Sequence, residues 1–541
     1  MLFLAGIFLC SFAMAQKDTT KKQTIDIVSA YKPVLRNAVK ITFSASQLLV
    51  DTSKIKVKYE VPAQNLFYTY QPVALRPLAI YPNDTLELGD RNYLKLGIGN
   101  YTTPYIGAGL SFGDGKTSLL NLYGDYIASK GKIKYQDYSK LNAFVTGSTF
   151  SETNEIYFKG GLSIQDNYLY GYDHDVYSYT KKDLRQQFQN LHLKIGARNI
   201  NAATEESLLK YDPNLQVNVF VAKNKLSENT IALEVPVEMP VGDMFIAKIT
   251  AKADITSYKS KDLLPDNVKI KNNVFQIAPE VVYTAETYTL HGGFTPTIDN
   301  GKFIFLPNIY GEAKLADKSF LVQAGFVGKI TKNTYQYLSS INPYLNTISS
   351  QKNTKELELY GGIKGTVGKH FNYSAKVGLV NFDNYPFLLN DTLNDQKSFV
   401  LSNESKLSAL RIHADMSYIN QDKFTFTGGV TFNGYTDAQD HTSAFGTIPV
   451  EINAAMRWRA FNKVLLKTDL YVFGGGPYIL PGNITKNLKG AADISIGAEF
   501  AINKRFSAFV DINNMLNNKY QRWHNYEVYG INALGGVIMK F

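Results

Sequence analysis

The chain has 541 residues, 45% of them hydrophobic, 19% charged and 13% aromatic, with a net charge of +10, one Cys, two Trp, 36 Tyr and 32 Phe. This composition excludes a disordered chain, a disulfide scaffold and, since no internal stretch reaches roughly 18 to 20 uncharged apolar residues, a membrane-spanning helix. The excess of Lys and Arg is spread along the chain rather than clustered, which argues against a nucleic-acid partner.

The first predicted element is a leader. Residues 2–13 are uncharged and apolar, and the Ala-Met-Ala sequence at 13–15 has the small-x-small spacing of a signal-peptidase site. We therefore expect residues 1–15 to be a signal peptide, with a buried N-terminal strand as the alternative. Cys10 lies inside this leader, so the mature chain would carry no Cys, as suits an exported protein in an oxidising envelope.

Residues 16–90 form the second predicted element. Proline fixes its own backbone angle and disfavours helix in the residue before it, so a proline-containing stretch favours extended chain over a packed domain. We expect this stretch to be a short extended periplasmic segment, which folds into a lumen or docks on a partner. Its prolines include Pro33, Pro62, Pro72, Pro77 and Pro82.

From about residue 91 to the end, apolar residues recur at every second position, which is the period of a β-strand with one apolar face. A soluble β-sandwich is the alternative. Many of these segments run to about 10 to 14 residues, whereas soluble strands average about 5 or 6 and tilted membrane strands need roughly 9 to 11. The last segment places on its apolar face Tyr529, Ile531, Ala533, Val537, Met539 and Phe541.

The connections between these segments alternate between long and tight, as in outer-membrane barrels with long outer loops and short periplasmic turns. Long connections are expected near 127–137, 173–187, 257–271, 331–354, 383–400, 435–443, 475–487 and 513–527. Tight turns are expected at 113–116, 285–286, 316–317, 368–370, 420–422, 461–462 and 503–504. Exceptions to the alternation are expected near 100–104, 201–213, 224–229 and 297–301.

The pattern predicts an all-β fold, a single transmembrane antiparallel β-barrel of about 22 strands over residues 91–541, with 20 strands as the alternative. Both termini would lie in the periplasm. Such a barrel pairs every backbone group without leaving a free sheet edge in the hydrocarbon. Tyrosines near strand ends are expected in the aromatic girdles at the lipid boundary, with ordinary core packing as the alternative. The tyrosines in question are Tyr101, Tyr105, Tyr168, Tyr170 and Tyr172.

The C-terminal residues carry a family resemblance. An aliphatic strand at 506–513 is followed by Asn-Met-Leu-Asn-Asn-Lys-Tyr at 514–520, by a Tyr-Gly pair at 529–530 and by a terminal Phe. This arrangement resembles the last two strands of TonB-dependent receptors. The resemblance implies a 22-stranded outer-membrane barrel, recognition of the last strand by the barrel-assembly machinery, and solute transport. The residues that carry it are Asn514, Leu516, Asn517, Tyr520, Tyr529, Gly530 and Phe541.

A second stretch is similar to the TonB box of that family, the strand-forming segment that pairs with the energy-transducing protein TonB by β-augmentation. The alternative is an ordinary strand or a periplasmic tail. The stretch consists of Thr24, Ile25, Asp26, Ile27, Val28, Ser29 and Ala30. Residues 16–90 are too few for the plug domain of the family and lack its Arg-Gly and Asp-Gly elements. A complete plug is therefore not expected, which puts energised uptake in doubt.

Catalytic and metal-binding patterns are weak. The acidic and histidine residues at 173–175 and 437–441 fall in predicted loops, where solvated loops are favoured over cation sites. Ser443 lies close to His441 in sequence, but neighbours within one loop are poorly placed as nucleophile and base. The glycines at 474–476 lack the Lys and Ser or Thr of a phosphate-binding loop. We expect no enzyme activity, no metal and no cofactor.

Two functions remain open. The first is transport of a solute across the outer membrane, in which the wide lumen is occluded by the N-terminal segment, by inward-folded outer loops or by another protein. The second is a non-transporting outer-membrane anchor that docks a periplasmic or surface partner. The expected partners are outer-membrane lipid, the barrel-assembly machinery, TonB or another periplasmic protein, and a surface lipoprotein.

Overall fold

The computed structural model describes residues 92–200, 209–223, 226–261, 268–315, 320–420 and 423–541. The predicted signal peptide at 1–15, the segment at 16–90 and the TonB-box-like stretch at 24–30 lie outside the described residues. The first half of the described chain consists almost entirely of strands. They are β1 (Tyr93–Gly99), β2 (Thr103–Gly113), β3 (Ser118–Lys130), β4 (Asp137–Phe150), β5 (Asn154–Tyr168), β6 (Arg185–Asn199), β7 (Lys210–Tyr211), β8 (Asn214–Ala222), β9 (Leu226–Val241), β10 (Phe245–Ser260), β11 (Val268–Thr284), β12 (Tyr288–Asp299) and β13 (Lys302–Leu315).

The second half continues in the same way, with two short helices in the described connections. The strands are β14 (Phe320–Thr331), β15 (Thr354–Val367), β16 (Phe371–Asn390), β17 (Phe399–Asn420), β18 (Phe424–Thr436), β19 (Val450–Phe461), β20 (Val464–Phe473), β21 (Pro477–Leu480), β22 (Ile484–Asn487), β23 (Ala491–Ala501), β24 (Phe506–Asn513), β25 (Gln521–Trp523), β26 (Tyr526–Glu527) and β27 (Asn532–Lys540). The helices are α1 (Lys181–Leu184) and α2 (Tyr335–Ile341). Neither of these helices is long and apolar enough to cross a membrane.

Within the described residues, 22 strands form one closed antiparallel ring, each paired with its neighbours in chain order. The ring closes where β27 pairs with β1, with Tyr93 opposite Lys540 and Gly99 opposite Leu534. The two-residue β7 pairs with β9 beside β8, while β21–β22 and β25–β26 form separate small hairpins. The predicted all-β barrel is confirmed, with 22 strands rather than 20.

Side chains alternate between the two faces of this ring. On β13, Phe303, Phe305 and Ile309 are 69%, 57% and 56% exposed, whereas Leu306 is fully buried. On β1, Ile98 is 80% exposed, while Lys95 is buried. Apolar side chains therefore cover the outside and charged ones point inward, which is the arrangement required of a barrel surrounded by hydrocarbon. The predicted alternation is confirmed.

The two ends of the barrel differ. We call the end that carries Tyr93 and Lys540 the turn end, and the opposite end, where most of the longer connections lie, the loop end. The predicted connection near 383–400 is shorter than expected, because β16 and β17 continue past their neighbours in the ring and pair with each other from Tyr385–Glu404 to Asn390–Phe399, where Phe399 also bridges Leu345. We call residues 385–404 the projecting hairpin.

The girdle prediction is wrong for three tyrosines. Tyr105, Tyr170 and Tyr172 are 4%, 6% and 6% exposed. Tyr105 points into the lumen, where the Lys95 ammonium lies 5.5 Å from its ring centroid. Tyr170 and Tyr172 lie beyond the end of β5 in a connection that folds over the barrel instead of meeting lipid. Position near a strand end therefore does not determine whether a tyrosine faces lipid. Within a strand, the face on which the side chain lies determines this, and within a connection, the path of the loop does.

Candidate functional site

The loop end of the barrel is covered by its own connections. The connections at 169–184, 332–353 and 514–531 follow the fifth, thirteenth and twenty-first strands of the ring, so they leave the rim eight, eight and six strands apart. Contacts among all three must be made across the opening. The 391–398 connection contacts these three. We call the four segments 169–184, 332–353, 391–398 and 514–531 the lid.

Three tyrosines form the centre of the lid, one from each of the three widely separated connections. The rings of Tyr344 and Tyr526 stack with centroids 3.5 Å apart and planes at 15°. The Tyr170 ring meets Tyr526 edge-on at 4.9 Å and Tyr344 at 6.1 Å. Burial raises the pKa of the Tyr344 and Tyr526 hydroxyls well above its usual range, so both stay neutral.

Hydrogen bonds join the lid segments to one another. The Tyr170 hydroxyl donates to the Glu527 carbonyl at 2.8 Å, and the Tyr526 hydroxyl donates to the Lys397 carbonyl. Backbone bonds link Phe399 N–H to the Tyr344 carbonyl at 3.0 Å and Asn346 N–H to the Phe399 carbonyl at 2.8 Å. The lid therefore behaves as one packed layer rather than as four independent loops.

The 332–353 connection turns inward and attaches to the barrel wall five strands from its start. Its helix α2 begins at Tyr335, whose ring lies 6.1 Å from Phe220 and 5.9 Å from Tyr258. The buried Glu228 carboxylate on β9 accepts the backbone N–H groups of Tyr335 at 2.8 Å and Gln336 at 2.9 Å. A carboxylate at a helix N-terminus satisfies N–H groups that have no partner within the helix. The connection starts on the thirteenth strand and is held on the eighth.

Below the lid, the wall of the lumen carries paired charges. Glu356 on β15 accepts from Arg411 at 2.7 Å and lies 3.1 Å from Lys329, while Leu359 on the other face of the strand is 57% exposed. Lys364 forms an ion pair with Glu312 in the same region. Basic and acidic residues are thus partnered at these positions. The arrangement gives a polar passage in which charges are neutralised across strands.

The residues of the C-terminal signature do not form one site. Asn514 donates through Nδ2 to the carbonyls of Asn518 and Tyr529, both at 2.8 Å, and Asn517 accepts from Ile531 N–H at 3.2 Å. Both Asn514 and Asn517 have positive φ angles (+49° and +52°), which Asn tolerates better than most residues. These residues stabilise the base of the 514–531 connection at the loop end.

The remaining signature residues are more dispersed. The Tyr520 hydroxyl donates to Asp493 at 2.9 Å, Leu516 is 48% exposed, and Gly530 faces the Asn517 amide. Phe541 is 59% exposed at the turn end, where its N–H donates to the Asn92 carbonyl at 2.9 Å. Their proposed recognition role stays a prediction.

The predicted loop motifs occupy ordinary loop positions. The His174 ring lies 4.2 Å from Tyr172, and its Nε2 lies 3.2 Å from the Tyr170 carbonyl, within the lid. Asp440 accepts the Ser405 N–H at 2.9 Å. Among the described residues no cluster of His, Cys, Asp and Glu is suited to a metal ion. Sequence reasoning offered inward-folded outer loops as one candidate for occlusion but missed which residues meet, since nothing in the spacing of Tyr170, Tyr344 and Tyr526 indicates their contact.

These features define the class of structure: a 22-stranded barrel with an apolar outer face, a charge-paired lumen and a lid across one end. Solved structures of the same fold include the FrpB iron transporter from Neisseria meningitidis, with a TM-score of 0.65, 12% identity, and 84% of this chain and 82% of that chain covered. The siderophore receptor PirA from Pseudomonas aeruginosa has a TM-score of 0.57, 11% identity and coverage of 83% and 80%. The copper transporter OprC has a TM-score of 0.60, 13% identity and coverage of 84% and 80%.

The expected resemblance to TonB-dependent receptors is thereby confirmed for the barrel fold. At these identities the similarity is one of fold. No family model matches the chain, and no curated protein matches its sequence.

Proposed function

We propose that the protein is an outer-membrane β-barrel that passes a solute across the membrane and is gated by its own lid. The observation that carries this proposal is the Tyr170–Tyr344–Tyr526 contact across the loop end. A barrel of 22 strands has a lumen wide enough to leak, so the chain needs a means of closing it. Inward-folded loops, one of the three candidates for occlusion, supply that closure at one end.

In the proposed orientation the loop end faces the cell exterior and the turn end faces the periplasm. Both ends of the barrel chain, Tyr93 and Lys540, then lie on the periplasmic side. The exposed apolar band contacts outer-membrane lipid, and the last strand with Phe541 is read by the barrel-assembly machinery. The similar FrpB, PirA and OprC are named as iron, siderophore and copper proteins, which favours a metal-containing solute for this barrel.

The lid is tested by single-channel conductance of the purified protein in a planar bilayer. Replacing Tyr344 and Tyr526 by Ala is expected to produce large openings that the wild type lacks. The matched control is Tyr177→Ala, because Tyr177 lies in the same lid but is 42% exposed. Openings of equal size in all three proteins contradict gating by the lid.

The alternative function, a non-transporting anchor, makes the opposite prediction. If the wild type and the double variant are both silent while the barrel remains folded, and the double variant without residues 16–90 is silent too, the result favours the anchor over a conducting barrel. Pull-down with the C-terminal domain of TonB, using chains with and without residues 24–30, tests the energised version of transport. Retention that does not depend on residues 24–30 contradicts the proposed TonB box.

A further inference from the structure

A serine, a histidine and a glutamate meet at the rim of the loop end, outside the lid. Ser402 and Glu404 stand two residues apart on the projecting hairpin, so their side chains share one face of β17. His441 comes from the 437–449 connection. Its Nε2 lies 2.9 Å from Ser402 Oγ, and its Nδ1 lies 2.8 Å from Glu404 Oε2.

Glu404 holds the histidine in place. Its fully buried carboxylate accepts the backbone N–H groups of Gln439 at 2.8 Å, Asp440 at 2.9 Å and His441 at 3.0 Å. The carboxylate accepts from Nδ1–H as well, so the hydrogen-bond network assigns the tautomer in which Nε2 accepts the Ser402 proton. The Phe387 ring packs edge-on against the imidazole at 5.2 Å.

A small, mostly apolar cleft, partly open to solvent, lies beside this group. Phe445 belongs to both, since it lines the cleft and its ring lies 6.3 Å from that of His441. Leu389 lines the cleft from the same face of the hairpin as Phe387, two residues away. Further apolar lining comes from Leu388, Phe399, Ile479 and Trp523.

We propose that Ser402, His441 and Glu404 form a nucleophilic site that hydrolyses carboxylic esters with an apolar acyl group. The geometry is that of an activated nucleophile: the base lies within hydrogen-bond reach of the hydroxyl and is oriented by a third group. The rings of Phe387 and Phe445 beside His441 favour a short apolar acyl group. This inference revises the sequence-based expectation of no enzyme activity and does not depend on solute passage.

The reaction balances with water as the only co-reactant. Ser402 Oγ attacks the ester carbonyl carbon as its proton passes to His441 Nε2, and the carbonyl electron pair moves to oxygen. Collapse of the tetrahedral intermediate breaks the bond to the leaving oxygen, which takes the proton from Nε2. Water then attacks the acyl-serine, loses a proton to Nε2 and releases the acid, and Ser402 recovers its proton.

The site is tested by labelling the purified full-length chain in detergent with a fluorophosphonate, followed by peptide mass spectrometry. We expect the label on Ser402 and a loss of labelling rate on the order of 10²- to 10⁴-fold in His441→Gln. Ser443→Ala is the matched control, because Ser443 is the serine nearest to His441 in sequence, and its labelling is expected to equal that of the wild type. An unlabelled Ser402, or equal labelling in His441→Gln, overturns the proposal.

Glu404 is a positioning residue and needs its own readout. In Glu404→Gln the amide NH₂ can donate to Nδ1 and favour the other tautomer, in which Nε2 no longer accepts the Ser402 proton. We expect kcat for p-nitrophenyl butyrate to fall while KM stays unchanged. Heat-modifiable migration on gels confirms that each variant is folded. A folded variant with unchanged kcat shows that Glu404 only organises the loop and overturns the assignment.

Discussion

Tyr344 and Tyr526 stack with their ring centroids 3.5 Å apart although their connections leave the barrel rim eight strands apart. The two loops therefore meet across the opening of the barrel. Both side chains are almost fully buried, at 4% and 0% exposure, so the pair is a packing element and not a surface contact.

Truncation of this pair should loosen the lid and leave the barrel intact. We expect Tyr526→Ala to cost about 3–5 kcal/mol of lid stability, as for other large aromatic residues removed from a packed interior. Hydrogen exchange should become faster in residues 332–353 and 391–398 and stay unchanged in β10 and β11. Faster exchange spread evenly over the barrel strands would show that the lid is not a separate unit.

Removal of Glu228 should free the inward helix. Glu228→Ala leaves the N–H groups of Tyr335 and Gln336 without their acceptor, at a cost of about 1–3 kcal/mol each. Limited proteolysis within 332–353 is expected to accelerate. Glu234→Ala is the control, because that residue also lies on β9 but its carboxylate is only partly buried, beside Lys252 at 2.7 Å. Equal proteolysis of both variants contradicts the anchoring role.

The lumen charges should set ion selectivity once the lid is open. In a Tyr344→Ala/Tyr526→Ala background, Arg411→Ala removes a cation that lies 2.7 Å from Glu356 and 3.7 Å from Glu358. Reversal potentials in a salt gradient should shift toward cation selectivity. Lys369→Ala, in the turn between β15 and β16, removes the same charge away from this cluster and should shift the potential less. A shift no larger than that of Lys369→Ala would place Arg411 outside the conducting path.

The hairpin β21–β22 should detach in mild acid. Burial, with Lys486 nearby, lowers the pKa of His524, whose ring stacks on Tyr478 at 4.2 Å. Because the folded state disfavours the charged form, this contribution to stability is present above the usual value of 6.5 and is lost as pH falls through the lowered pKa. After correction for the intrinsic pH dependence of amide exchange, protection at 477–487 should decrease below pH 6.5, and His524→Phe should abolish this decrease. Protection that increases in acid reverses the sign and contradicts the assignment.

The glycines after β20 should prove to be packing residues. A Cβ at Gly476 would lie 1.8 Å from the Thr447 carbonyl oxygen, so Gly476→Ala must push two backbones apart, at about 1–3 kcal/mol. Gly361→Ala is the control, since nothing lies within 4 Å of its Cβ position. Thermal loss of heat-modifiable migration should occur at a lower temperature for Gly476→Ala alone. Equal midpoint temperatures for the two variants would show that the connections accommodate the added methyl group without loss of stability.

The sequence alone predicted the barrel well. Phe303, Phe305 and Ile309 recur at even spacing along β13 and all face outward. The long connection at 331–354 and the tight turn at 368–370 both lie where expected. These features are local, because a strand in hydrocarbon must present an apolar residue at every second position and each hairpin must end in a turn.

Contacts between connections that are distant in sequence were evident only from the tertiary structure. Tyr170, Tyr344 and Tyr526 follow no common period, and Ser402 lies 39 residues from His441. The direction in which Tyr105 points depends on its strand face rather than on its distance from a strand end. The ring of strands sets which connections can reach each other, and side-chain packing then selects the contacts. Barrel architecture is thus encoded by repetition along the chain, whereas the lid and the serine site exist only once the ring has brought distant loops together.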